Sequence, residues 1–238
     1  MDILWIYYGY TMNDKFLKRP ILITGLPRSG TSLTAGLLDI CGAWSGTTVP
    51  GSKDNVKGFF EHSMLREHVN KALLIRLGCD PLGVRKLPPY ELPPINNFKE
   101  IISDIIVNDG YDGKKPWMFK DAKLLLLWPY YKEYFPSATW IIVKRDRDEI
   151  IDSCLRTGFM KQHTEDRSYW EAWAKDYEDR IERLKASGVK YHEIWAKDIV
   201  KPESRDVLRQ LVKKLKLKWN EVKVQEFIEP TVWHGRGE

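Results

Sequence analysis

The sequence predicts an α/β protein whose mostly parallel sheet is covered by helices on both faces. Short apolar runs typical of buried strands alternate with longer segments whose apolar residues recur at helical spacing. Strands separated by helices favour parallel pairing, because each crossover helix returns the chain to the end of the sheet where the previous strand began. The ligand of such a sheet is expected at the carboxyl ends of its strands. The apolar runs cover residues 21–24, 117–119, 139–143 and 189–194.

Length and composition favour one globular domain spanning residues 1–238. The chain has 238 residues, of which 43% are hydrophobic and 30% charged, so it can bury a substantial core and is not disordered. The cysteines, Cys41, Cys79 and Cys154, are odd in number and far apart, which favours a reducing compartment without disulfides or a zinc site. Residues 3–10 are too short to span a bilayer and read as a strand or packing arm. We therefore expect a cytoplasmic protein with no membrane partner.

The helical segments follow the strands in regular order, with one irregular stretch between them. Residues 167–185 place a stripe of aromatic and aliphatic side chains on one face, which predicts core packing. Residues 80–97 contain five prolines and read as a long surface loop inserted in the domain, either a lid or a wall of the ligand site. The predicted helices cover residues 31–41, 60–77, 98–107, 122–134, 148–155, 167–185 and 203–215.

A glycine-rich turn follows the first strand. In PILITGLPRSGTSLTAGLL, Gly25 and Gly30 keep the spacing of a phosphate-binding P-loop, but Thr31 replaces the lysine of nucleoside triphosphatases and Arg28 lies three residues earlier. Backbone N–H groups and the positive end of the helix dipole meet at such a turn, and Ser29 and Ser32 add hydroxyl groups. The turn therefore predicts a P-loop-type fold that binds an anion without the usual lysine.

A second basic element follows the third strand, in TWIIVKRDRDEIIDSCLRT. Arg145 stands beside the end of the strand, where triphosphatases place an aspartate that helps to hold magnesium. Ser153 follows eight residues later, one to two turns into a helix. The two loops together favour a nucleotide held by arginines without a metal ion.

These stretches resemble the P-loop sulfotransferases, most closely in motif pattern the bacterial, marine and tyrosylprotein types. LPRSGTSL is similar to their 5′-phosphosulfate loop, and VKRDRDEIIDSCLRT to their 3′-phosphate element. MFKDAKLLLLWPYYKEYFPSATW and KGFFEHSMLREHVNKALL carry further likeness, so the resemblance covers about residues 20–75 and 115–200. It implies sulfuryl transfer from 3′-phosphoadenylyl sulfate. The donor-binding residues it implies are Pro27, Arg28, Ser29, Gly30, Thr31, Ser32, Arg145 and Ser153, with no metal.

The resemblance also implies catalytic roles. Arg28 would neutralise the leaving oxygen, and Lys120, near the end of a strand, would stabilise the sulfuryl oxygens. Cytosolic family members place a catalytic histidine two residues after that lysine, where this chain has Ala122. Glu61 is therefore the expected general base, as in the tyrosylprotein type, and His62 is the alternative. Asp121 is expected to orient Lys120.

Two motifs of the cytosolic members are weak or absent at the C-terminus. Residues 235–237 only partly match their nucleotide-binding loop, and Thr231 and Val232 lack the flanking residues of their dimer motif. The oligomeric state stays open.

Two other functions stay open at this level. A divergent P-loop nucleotide kinase would need magnesium and would prefer ATP. A non-catalytic protein could bind a nucleotide, or a nucleic acid through the lysines of residues 213–223, but no nucleic-acid motif accompanies them. The expected partner is a small-molecule, carbohydrate or peptide acceptor carrying a hydroxyl or amine, and no nucleic acid.

Overall fold

The computed structural model describes residues 17, 19–52, 55 and 57–228. The expected N-terminal arm at residues 3–10 and the C-terminal motifs at 231–232 and 235–237 lie outside the described residues.

Four parallel strands form the sheet of the described chain. They are β1 (Ile21–Gly25), β2 (Met118–Lys120), β3 (Thr139–Lys144) and β4 (Lys190–Trp195), in the spatial order β2-β1-β3-β4. The α/β prediction is confirmed, and each predicted strand lies within one residue of an observed one. Lys120 is the last residue of β2, so its side chain starts at the carboxyl edge of the sheet.

Helices connect and cover these strands. Six of the seven predicted helices appear with ends shifted by two residues or fewer, and three short helices were not predicted from the pattern. The helices are α1 (Thr31–Ile40), α2 (Ala72–Arg76), α3 (Phe98–Asn108), α4 (Leu124–Tyr134), α5 (Arg147–Arg156), α6 (Gly158–Lys161), α7 (Arg167–Ala186), α8 (Ala196–Val200), α9 (Arg205–Lys214) and α10 (Glu221–Phe227), with a 3₁₀ turn at Pro202–Ser204.

The sheet separates two hydrophobic cores. Leu22, Trp140 and Ile142 point to one face, where α3, α4, α5 and α7 pack. Ile23 and Ile141 point to the other face, which α1, α8, α9 and α10 cover. This alternation follows from the two-residue period of a strand, and it buries both faces as a parallel sheet requires.

The predicted helix at residues 60–77 is partly wrong. Phe60 has a φ of 54°, which a helix cannot contain, and His62 pairs with Thr48 in an isolated bridge. Helical structure begins at Ser63, and Leu65–Lys71 is π-helical before α2 continues the segment. Glu61 therefore precedes the helix and does not lie in its first turn.

The proline-rich segment at residues 80–97 contains no helix or strand, as expected. Its backbone carbonyl groups are tied to the helices beneath. Trp173 Nε1 and Tyr177 Oη donate to Gly83 O at 2.9 and 3.0 Å, and Arg180 Nη2 donates to Pro88 O at 2.7 Å. The apolar stripe on α7 is buried, as the sequence predicted, and the loop packs against this helix.

Candidate functional site

The site lies where the chain order of the sheet reverses. β1 pairs with β2 on one side and with β3 on the other, and Gly25 lies opposite Val143. Such a reversal opens a crevice at the carboxyl ends of the two central strands. The glycine loop (residues 25–30) leaves β1 at this crevice, and Arg145 follows the end of β3. The two basic elements of the sequence therefore meet at one place.

The glycine loop depends on its two glycines for different reasons. A Cβ at Gly25 would lie 2.4 Å from the backbone oxygen of Val143, so only glycine allows β1 and β3 to approach there. Gly30 has a φ of 97°, and a Cβ there would lie 2.6 Å from the Cβ of Ala196. Arg28 also has a positive φ, 73°. Backbone strain at a non-glycine residue is typical of a loop shaped for a ligand.

Unsatisfied polar groups of the loop fit an anion. Ser29 Oγ is buried and has no hydrogen-bond partner among the described residues. The N-cap of α1, Gly30, supplies no side-chain acceptor for the first N–H groups of the helix. Thr31 and Ser32 occupy this first turn, and Pro27 lies partly exposed in the turn before it. Because uncapped N–H groups at a helix N-terminus favour negative charge, this cradle fits a phosphate or sulfate group.

The second basic element contacts the glycine loop directly. Arg28 Nε donates to Ser153 Oγ on α5 at 3.0 Å, and an Nη1–H of Arg145 donates to the backbone oxygen of Arg28 at 3.1 Å. Glu149 pairs with Arg145 Nε at 2.7 Å and fixes the direction of its guanidinium. The expectation that these residues share a site is matched by their placement, although they are more than 115 residues apart in sequence.

Lys120 links the same loop to Glu61. Its Nζ donates to Ser32 Oγ at 3.1 Å and to Glu61 Oε1 at 2.8 Å. Only 4% of Lys120 and 7% of Glu61 is exposed. Asn55 Nδ2 also donates to Ser32 Oγ, at 3.0 Å. The three residues proposed for catalysis thus lie around the start of α1, Arg28 in the loop before it and the Lys120–Glu61 pair against Ser32.

Sequence reasoning missed a second cation at Glu61. Arg66 Nε lies 2.8 Å from Glu61 Oε2, while Arg66 Nη1 donates to Glu67 Oε1 at 2.7 Å. Arg66 follows Glu61 by five residues in a charged stretch of the predicted helix, and it belongs to none of the sequence motifs. Glu61 is therefore held between two cations, one for each carboxylate oxygen.

The expected role of Asp121 is wrong. Its carboxylate pairs with Lys123, not Lys120, at 2.8 Å, and accepts from Asn70 Nδ2 at 2.9 Å. Burial by itself raises the pKa of Asp121, but the Lys123 ammonium and these hydrogen bonds outweigh it and lower the pKa below its ordinary value. Lys120 points away because it ends β2, where successive side chains alternate between faces. Asp121 instead anchors the π-helical segment to the sheet through Asn70.

His62 lies beside Glu61 in sequence but has different neighbours. Only 1% of it is exposed, and its Nε2 is 3.2 Å from Asp109 Oδ2. Its Nδ1 accepts from the N–H of Leu65 at 3.4 Å. Burial lowers the pKa of His62, although Asp109 partly offsets the effect. Both ring nitrogens are thus engaged in contacts that hold the local structure.

The described part of the chain contains neither a cluster of metal ligands nor a helix that could span a membrane. No three His, Cys, Asp or Glu side chains there gather as a metal site would need. No helix there is both long and apolar enough to cross a bilayer. Cys41, Cys79 and Cys154 are all buried and unpaired.

A family model and two solved structures are similar to this chain. A model described as "Sulfotransferase family" matches residues 20–221. Among solved structures, a sulfotransferase domain from the curacin biosynthetic pathway aligns with a TM-score of 0.54 and 16% identity over 86% of this chain and 76% of that one. The sulfotransferase domain of the Synechococcus PCC 7002 olefin synthase aligns over the same shares, with a TM-score of 0.52 and 15% identity. At these identities the two likenesses show the fold. No curated protein sequence matches the chain.

Proposed function

The chain belongs to the sulfotransferase family, and from this membership we propose that it transfers a sulfuryl group from 3′-phosphoadenylyl sulfate to the hydroxyl or amine of an acceptor. The contact of Arg28 with Ser153 and Arg145 carries the proposal, because it brings the 5′-side loop and the 3′-side element together at the carboxyl ends of β1 and β3. A magnesium-dependent kinase or a non-catalytic binding protein gains no comparable support.

The donor fits the residues of the crevice. The N–H groups of Gly30, Thr31 and Ser32 and the buried Ser29 hydroxyl would hold its phosphosulfate. Arg145 and Ser153 would hold the 3′-phosphate that ATP lacks, and Arg–phosphate contacts are charge-assisted and often bidentate. Pro27 would stiffen the turn before Arg28 because its φ is fixed.

Three side chains divide the chemistry. The donor supplies a sulfuryl group whose bond to the bridging oxygen breaks as the acceptor's bond to sulfur forms. Arg28 stabilises the negative charge that develops on the bridging oxygen, and Lys120 stabilises the sulfuryl oxygens. Glu61 accepts the proton that the acceptor loses. These positions match a reaction in which placement and charge neutralisation supply most of the rate.

The proline-rich loop borders this site on the side of Lys123. A Cβ at Gly83 would lie 3.7 Å from Lys123 Cγ, and Lys123 pairs with Asp121 at the end of β2. We therefore assign residues 80–97 to the acceptor side within one domain. A cytoplasmic location, suggested by the three unpaired cysteines, belongs to the same proposal.

Binding of adenosine 3′,5′-bisphosphate tests the donor assignment. We expect the protein to bind it without added metal, and Arg145→Ala to weaken binding about 10- to 100-fold, the loss of one or two charge-assisted contacts. Affinity for adenosine 5′-phosphate should change little, because that nucleotide has no 3′-phosphate. Isothermal titration calorimetry measures both.

Lys144→Ala is the matched control, since Lys144 is the neighbouring cation and pairs loosely with Glu193 at 3.7 Å. It should leave both affinities within about twofold. Equal losses for the two nucleotides in Arg145→Ala would show that Arg145 does not read the 3′ position. Tighter binding of magnesium-ATP than of the bisphosphate would favour a kinase instead.

A further inference from the structure

We propose that Arg66 is the positioning residue of Glu61, holding one carboxylate oxygen when Lys120 leaves the other for the sulfuryl donor. The inference rests on the proposed function and adds a residue and an order of events to it. Glu61 is released as a base only when the donor is bound, because its Oε1 is otherwise occupied by Lys120.

Lys120 is placed to change partners. Its ammonium lies between Glu61 Oε1 at 2.8 Å and Ser32 Oγ at 3.1 Å, so it already contacts the first turn of α1. A sulfuryl group at that turn adds negative oxygens within reach of the same ammonium, and Lys120 then divides its charge between two anions. The hydrogen bond to Glu61 weakens as the one to the donor forms, and Oε1 becomes able to accept a proton.

A carboxylate that lost its only partner would also lose its orientation. Arg66 prevents this, because its Nε lies 2.8 Å from Oε2, the oxygen that Lys120 does not contact, in an ion pair without hydrogen-bond geometry. Its guanidinium is fixed on the other side by Glu67 at 2.7 Å. In this proposal Arg66 acts through Glu61 and contacts neither substrate. Its role is to orient the Glu61 carboxylate toward the acceptor.

The helix that carries Arg66 is itself anchored to the sheet. Arg66 and Asn70 are four residues apart in the π-helical segment and lie on the same side of it. Asn70 is fully buried, donates to Asp121 at the end of β2 and accepts from Tyr131 Oη at 2.7 Å. π-Helical turns occur frequently at functional sites. Here the π-helical segment connects Arg66, which contacts Glu61, to the end of β2, the strand that carries Lys120.

The charges around Glu61 come from three elements. Lys120 faces it from β2, Arg66 from the π-helical segment, and Lys123 from the start of α4. Burial by itself lowers the pKa of Lys123, but the carboxylates of Asp121 and Glu61 outweigh it and raise the pKa. Removing Arg66 leaves two of the three cations, so the carboxylate stays in place but is less firmly held and less stabilised as an anion.

The test compares Arg66→Gln, Arg66→Lys and Lys71→Gln with the wild-type protein in a sulfate-transfer assay. Arg66→Gln should lower kcat about 10- to 100-fold, the cost of a misplaced catalytic group. The Kd for adenosine 3′,5′-bisphosphate should not change. Arg66→Lys should restore part of kcat.

Lys71→Gln removes one positive charge from the same segment, but Lys71 pairs with Glu67 at 2.8 Å and not with Glu61. It should leave kcat within about twofold of the wild type. If Arg66→Gln behaves like Lys71→Gln, Arg66 does not position the base. A wild-type protein that transfers no sulfuryl group to any acceptor would remove the proposed function, and this inference with it.

Discussion

At the scale of single residues, the adjacent side chains Glu61 and His62 have different partners. Glu61 faces Lys120 at the start of α1, whereas His62 faces Asp109. Glu61→Gln keeps the shape and removes the basicity, so we expect kcat to fall about 10²- to 10⁴-fold with donor affinity nearly unchanged. His62→Asn should instead lower the melting temperature and keep kcat within about tenfold. Transfer kinetics and thermal unfolding of both variants provide the measurement. If His62→Asn abolishes transfer and Glu61→Gln remains active, the general base is His62.

Most site residues could be named from the sequence, because their motifs are local. Arg28, Ser29, Thr31 and Ser32 follow a strand in a fixed pattern, and Arg145 and Ser153 keep their own spacing. Arg66 could not be found this way, since its partner Glu61 lies before the helix, directly after the positive φ of Phe60. The pairing of Asp121 with Lys123 was missed for a similar reason, because strand alternation sends Lys120 and Asp121 to different neighbours.

At the scale of elements, the glycine loop depends on the close approach of β1 and β3. Gly25→Ala should destabilise the protein by about 1–3 kcal/mol, because the new methyl group meets the backbone oxygen of Val143, which cannot move without disturbing the sheet. Gly158→Ala is the control: it lies at the start of α6 with nothing within 4 Å of its Cβ, and should be neutral or stabilising by up to about 1 kcal/mol. Urea unfolding measures both. Equal stability of Gly25→Ala and the wild type would show that the strands have room to separate.

At the scale of the whole molecule, the proline-rich loop that rests on α7 begins with a turn that depends partly on the charge of Asp80. Asp80 accepts from the N–H groups of Val84 and Arg85, each at 2.9 Å, and begins the loop. Burial alone would raise the pKa of Asp80, but these hydrogen bonds outweigh it and lower the pKa. A lowered folded-state pKa stabilises the protein above the ordinary value of 3.8, and this stabilisation is lost as pH falls through the folded value.

Asp80→Asn should therefore be less stable than the wild type at neutral pH, and the difference should close below about pH 4. Asp104→Asn is a control of opposite sign, because burial and Glu100 raise the pKa of Asp104. That substitution should stabilise the protein at neutral pH, with the gain disappearing in acid. The free energy of unfolding measured against pH gives both curves. A constant difference between Asp80→Asn and the wild type at every pH would show that the charge of Asp80 does not hold the loop.

The sequence by itself determined the strands, most helices, the glycine-rich turn and the spacing of Arg145 and Ser153 in the second element. These features depend on local patterns, namely apolar periodicity, glycine spacing and the order of polar residues after a strand. Only the tertiary structure decided that Arg28 contacts Ser153, that Glu61 lies between Lys120 and Arg66, and that the proline-rich loop rests on α7. Each of these contacts joins side chains or backbone groups whose directions are set by the strand register, by the positive φ of Phe60 and by the π-helical turn. A small change in the strand register, in the backbone at Phe60 or in the π-helical turn would bring the same charged side chains to other partners. Residue types and their spacing therefore do not determine these partners.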